Sequence, residues 1–89
     1  MSNWKVKFTP EGKEDLKNLD REVKQRILKK LKWLQQNFDE IAPLPLSGKW
    51  QGFFKLRVGK WRVIYKKDSS KNLIVVFVIG KRDKVYKEN

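Results

Sequence analysis

WQGFFKLRVGKWRVIYKK, residues 50–67, decides how this chain of 89 residues folds. Apolar and basic side chains alternate on both sides of Gly59-Lys60, the period-two signature of paired strands. A two-residue turn with glycine first sets Val58 opposite Trp61. That register gives Phe54, Leu56, Val58, Trp61, Val63 and Tyr65 one common face. Lys55 and Arg57 then share the other face with Arg62, Ile64 and Lys66. One face is almost wholly apolar and needs a cover, whereas the other gathers cations.

Working outward, KDSSKN (residues 67–72) reads as a turn, and Leu73–Ile79 as a strand apolar on both faces, hence central. Upstream, IAPLPLSGKW (residues 41–50) reads as a loop, because its prolines break both periodicities and Ser47-Gly48 marks a turn. WKVKF near the start alternates as a short strand. TPEG follows, with Thr9 as a helix cap and Pro10 at the first helical position, where its missing N–H costs nothing. Leu16 and Leu19 give this first helix a small apolar face. Asp20 reads as a second N-cap, opening a helix to about Asn37. In it Val23, Ile27, Leu31, Leu34 and Phe38 form one stripe at spacings of three and four. The expectation is a single α+β domain over residues 1–89: a strand, a helical hairpin, an antiparallel three-strand meander and a charged tail.

The composition narrows the chemistry. There is no cysteine and no histidine, so disulfides, thiolates and the commonest metal ligand and general base are all excluded. MSNWKVKF lacks the apolar run of a signal peptide, and LIVVFVI is too short to span a bilayer, so a cytoplasmic protein is expected. The formal net charge is +12. Residues 1–49 hold 11 basic and 7 acidic residues, a charge of +4, and residues 50–89 hold 11 and 3, a charge of +8. The C-terminal half is therefore the place for an anionic ligand, although charge alone does not separate RNA, DNA, membrane and an acidic protein. The basic helical surface of Arg21, Lys24, Arg26, Lys29, Lys30 and Lys32 is either a solvated face or an electrostatic guide.

On the cationic face Arg57 and Arg62 are directly opposed, with Lys55 diagonal to them. Like charges across a sheet oppose folding, and an anion between them relieves that cost. The alternative is that their long stems splay apart in water. Arg82, just beyond the central strand, can join the same face. Metal-free cleavage of RNA would require the ribose 2′-hydroxyl to lose its proton and attack the adjacent phosphorus while the 5′-oxygen leaves. The residues alone leave open whether this patch serves that chemistry or Tyr86 simply packs its ring against the domain. Arginines stabilise the charge that develops. Tyr86 sits among Lys81, Arg82, Lys84 and Lys87, where cations favour the phenolate. Glu14-Asp15 and Asp39-Glu40 are explained by capping and solvation, Asp68 by a turn, and Asp83 by the N-cap of a last helical turn, so no metal and no cofactor is expected. Trp33 and Trp50 are candidates for partial exposure and base stacking or for the core, Trp4 and Trp61 for the core. Phe53 falls on the cationic face.

LSGKWQGFFKLRVGKWRVIYK, followed after a strand by IGKRDKVYK, resembles the RelE branch of the RelE/ParE toxin superfamily, over essentially the whole chain. The resemblance implies an N-terminal strand and a helical hairpin packed on a mainly antiparallel four-stranded sheet, with a short C-terminal tail or helix. It implies the toxin of a toxin–antitoxin pair that enters the ribosomal A site and cleaves mRNA there without a metal. A RelB-like antitoxin would wrap and neutralise it, and operator DNA would be met only through that complex. Carried over residue by residue, the catalytic set is Lys55 as a proton acceptor, Arg62 and Arg82 on the phosphate, and Tyr86 orienting the nucleotide. Lys49, Phe53, Arg57, Lys81 and Lys84 are the accompanying RNA contacts. The chain departs from that branch at Phe53, where a second lysine stands in the family. A DNA gyrase inhibitor on the same fold, and a member that binds RNA or antitoxin without cutting, are the competing readings.

Overall fold

The structure is a computed structural model, and it describes residues 3–85. Strand β1 (Lys5–Phe8) leads into helix α1 (Pro10–Lys17) and helix α2 (Arg21–Asn37). Strand β2 (Leu44–Pro45) and a 3₁₀ turn (Gly48–Trp50) follow, then β3 (Phe54–Val58), β4 (Trp61–Asp68), β5 (Leu73–Lys81) and a short helix α3 (Arg82–Val85).

The local signals act as the sequence predicts. The Thr9 hydroxyl accepts from the Gly12 N–H at 3.0 Å and starts α1 behind Pro10. Thr9 also anchors that start to β5, since its N–H and its hydroxyl both donate to the Val76 carbonyl. Asp20 occupies the N-cap position of α2 without a side-chain capping bond. Gly59 takes φ +60° at the β3–β4 turn, and Lys60 is not left-handed, as a turn with glycine first requires. At the β4–β5 turn the Asp68 carboxylate accepts from both the N–H and the hydroxyl of Ser70.

The sheet has five strands in the order β1-β5-β4-β3-β2. This corrects the four-stranded expectation. Leu44 and Pro45, placed in a loop by their prolines, pair antiparallel with Lys55 and Phe54. Proline is tolerated there because β2 is an edge, where one side of the strand needs no ladder partner. β1 pairs parallel with β5 and the remaining pairs are antiparallel, so β5 is flanked on both sides as its apolarity requires.

The β3–β4 register is the expected one: Phe54 opposes Tyr65, Leu56 opposes Val63, and Val58 opposes Trp61. Ile27, Leu31, Leu34 and Phe38 of α2 close over that face with Leu56, Val63, Tyr65, Ile74, Val76 and Ile79, and Val23 packs against them. Trp4 completes this core. Its ring lies 4.6 Å from that of Phe38, and its indole N–H donates to Asp39 Oδ1 at 2.7 Å.

The opposite face is not purely cationic. Ile64 lies on it and is fully buried. The chain from Trp50 to Phe53 folds back towards this side, with Trp50 edge-on to Phe53 and Phe53 edge-on to Phe77. A small apolar layer thus covers part of the sheet beside the cations. Finally, α3 begins at Arg82, so Asp83 lies inside its first turn rather than at its cap.

Candidate nucleic-acid interface

β3 and β4 place Arg57 directly opposite Arg62, and β4 and β5 place Arg62 opposite Gly80. One row across three strands therefore carries two arginines and then a position with no side chain. The adjacent row is Lys55, Ile64 and Val78. The cationic face is built by alternation, because every outward residue is fixed once the apolar face is buried.

The two arginines differ. Arg57 is exposed, whereas Arg62 is only 7% exposed. Its Nη1 donates to the carbonyls of Gly59 at 2.9 Å and Trp61 at 2.8 Å, and its Nε is buried without a partner. A guanidinium carries five N–H donors in a fixed fork. Among the described residues, two backbone carbonyls leave that fork partly unused. The side chain is thus held in one orientation by its own hairpin.

Arg82 is brought to the same end of the sheet by a backbone bond. Its N–H donates to the Lys60 carbonyl at 2.9 Å, tying α3 to the β3–β4 turn. Arg82 lines a depression of about 320 Å³ with Lys60, Lys81 and Asp83. Lys81 opposes Trp61 and its ammonium lies 5.8 Å from that ring, which sets it apart from the row of Arg62 and Gly80.

Lys49 and Lys84 meet in a separate cleft of about 350 Å³, walled by Trp50, Val78, Gly80 and Val85. Val85 packs so closely over Gly80 that a Cβ there would meet Val85 Cγ2 at 2.8 Å. Asp15 closes this cleft from α1. Its Oδ2 accepts from the Ile79 N–H at 3.0 Å, satisfying β5 beyond the point where β1 stops. Lys55 and Arg57 line a third recess of about 230 Å³ between α2, β2 and β3, with Trp33 and Leu44 exposed at its rim. Lys30 lies 4.0 Å from the Trp33 ring there.

The expected residues Lys49, Lys55, Arg57, Arg62, Arg82 and Lys84 thus surround one end of the sheet but divide among neighbouring depressions. Tyr86 lies outside the described residues. Phe53 is on this face, yet against Phe77 and beneath the Lys66 ammonium at 4.6 Å rather than beside the arginines. Phe77 was not singled out from sequence, and Lys66 and Lys60, placed on the cationic face and in the turn, were not named as ligand contacts. Phe77 sits in the uniformly apolar strand, and a register irregularity at Ile64/Tyr65 changes the alternation that would have placed it. Burial pushes the Tyr65 hydroxyl up to about 12, so this tyrosine stays neutral and belongs to the core. Among the described residues no helix is long and apolar enough to cross a membrane, and no cluster of His, Cys, Asp or Glu is placed to hold a metal ion.

A helix pair over one face of a mixed sheet, with basic residues on the other face, is a small α+β architecture. Residues 6–86 match the family model of the ParE toxin of the type II toxin–antitoxin system parDE. The chain belongs to that family, within the RelE/ParE-like toxin superfamily. No curated protein matches the chain in sequence. Among solved structures it is similar to the toxin–antitoxin complex RelBE2 of Mycobacterium tuberculosis, with a TM-score of 0.80 at 23% identity over 92% of this chain and 94% of that one. The isolated E. coli RelE toxin gives 0.74 at 22% identity, over 96% and 93% of the two chains. The archaeal RelE–RelB complex of Pyrococcus horikoshii gives 0.65 at 21%, over 89% and 94%. At these identities the likeness establishes the fold.

Proposed function

We propose that the protein is a toxin that cleaves mRNA in the ribosomal A site and so arrests translation. The observation that carries this reading is the Arg62 guanidinium, held by its own hairpin, opposed by exposed Arg57 and close in the fold to Arg82. In the cleavage step the 2′-oxygen bonds to phosphorus as its proton passes to a base, and the bond to the 5′-oxygen breaks as that oxygen gains a proton. The products are a 2′,3′-cyclic phosphate and a 5′-hydroxyl. Arg62 and Arg82 stabilise the phosphorane-like charge, Lys55 is the group assigned to the proton transfer, and Tyr86 positions the nucleotide. No metal is needed in this scheme.

The inhibitory partner is an antitoxin. Two similar structures are complexes of a toxin with an antitoxin. The recess between α2 and β2–β3 is apolar at its floor and flanked by Lys30, Lys55 and Arg57, which suits an acidic amphipathic segment. An antitoxin seated there covers Lys55. Operator DNA would be met only through the toxin–antitoxin complex.

Primer extension on programmed ribosomes tests the reading. A new stop within the A-site codon is expected with the intact protein, and its loss with Lys55→Ala and Arg82→Ala. Absence of any cut at ribosome-saturating protein removes the reading. A second reading, binding and inhibition of DNA gyrase, is favoured by the ParE family model. Inhibited supercoiling without mRNA cleavage is the outcome that selects it.

A further inference from the structure

Phe53, Phe77 and Lys66 form a cluster at the far end of the basic face from Arg62. The Phe53 and Phe77 rings are 5.1 Å apart and at 86° to one another, and both are half-buried. The exposed Lys66 ammonium stands 4.6 Å from the Phe53 centroid and 5.8 Å from that of Phe77. Phe77 also floors an open depression of about 380 Å³ beside the β4–β5 turn, flanked by Lys66 and Lys67. Asp68 at its rim is committed to Ser70 through both the N–H and the hydroxyl. Lys66 is four residues from Arg62 along β4, roughly 13 Å of extended strand.

We propose that this cluster is a stacking subsite for a nucleobase of single-stranded RNA, on the same strand whose phosphate meets Arg57 and Arg62. The proposal rests on the RNA-directed reading of that face and adds a second contact to it. In the free protein Lys66 covers the ring surface as a cation–π placeholder. An incoming base takes the ring, and the displaced ammonium turns to a phosphate of the same strand. A polymer that alternates flat aromatic bases with anions matches that exchange, and stacking of this kind is tolerant of base identity. Paired bases in a duplex cannot reach the rings, so the subsite selects single strands.

The test is fluorescence anisotropy with a labelled single-stranded 2′-O-methyl RNA oligonucleotide, which cannot be cut through its 2′-oxygen. An equally long strand with abasic residues serves as the control. The intact protein is expected to bind the base-bearing strand more tightly than the abasic one. Phe77→Leu, which keeps an apolar side chain and loses the ring, is expected to weaken the base-bearing strand about ten-fold and leave the abasic strand unchanged. Lys66→Gln, at an exposed position, is expected to reduce the salt slope by about one. Equal affinity of the intact protein for the two strands overturns the proposal. So does a Phe77→Leu variant that is silent or loses both strands equally. Should Phe77→Leu not fold, an unchanged salt slope for Lys66→Gln decides against it. Because the probe cannot be cleaved, this outcome is separate from ribosomal cleavage: the subsite can stand without a cut, and a cut can occur with Phe77→Leu silent.

Discussion

Arg57 and Arg62 face one another across the β3–β4 ladder, and the hairpin holds only Arg62, through the carbonyls of Gly59 and Trp61. A buried guanidinium with an unpartnered Nε and an arginine opposite it weakens the sheet it stands on. Arg62→Met keeps the aliphatic stem and removes the charge. It is expected to hold or raise the thermal midpoint while ribosomal cleavage falls about 100-fold or more. Calorimetry alongside primer extension measures both. A large fall in midpoint would make Arg62 a structural clamp instead.

Gly12→Ala reverses the ordinary helix rule. Alanine in a helix interior normally stabilises by up to about 1 kcal/mol over glycine. Here a Cβ would stand 2.5 Å from the backbone carbonyl oxygen of Val76, where α1 rests on β5. A backbone atom cannot step aside as a side chain does, so a loss of about 1–3 kcal/mol is expected in urea unfolding.

Asp15→Ala removes the acceptor for the Ile79 N–H. The orphaned donor lies on a central strand, so the expected cost is about 1–3 kcal/mol. Amide exchange at Ile79 should accelerate relative to the neighbouring residues of β5, and unchanged protection there would contradict the assignment.

Tyr65 couples stability to alkaline pH. Its folded-state pKa is raised from 10.0 to about 12 by burial, so the folded protein keeps the hydroxyl neutral while the unfolded chain ionises. The contribution is fully present below pH 10 and is lost as pH rises from there through about 12, on the order of 2 kcal/mol in all. Tyr65→Phe lacks this dependence. The gap between the two proteins in unfolding free energy should narrow or invert over that window, whereas parallel curves would place the hydroxyl in water.

Much of this was legible without coordinates. The alternation in residues 54–65 yields the β3–β4 register residue for residue, because period two and a two-residue turn leave no freedom once one face is apolar. The stripe of α2 and the Thr9-Pro10 start are equally local. The strand at Leu44–Pro45 was not legible, since two residues carry no period and their pairing depends on an edge supplied by β3. Nor was the apolar cover of part of the basic face, because Phe53 meets Phe77 only once distant segments of the chain are brought together.

The sequence by itself determined the period-two and helical elements, the sign of the charge and the face on which Lys55, Arg57 and Arg62 stand, all consequences of short-range alternation. Tertiary structure alone decided how those charges differ. Arg62 is locked by hairpin carbonyls while Arg57 is exposed, and Phe53 meets Phe77 edge-on beneath Lys66 rather than joining the arginines. Burial and partnership depend on which distant segments close over a strand, and no local pattern encodes that.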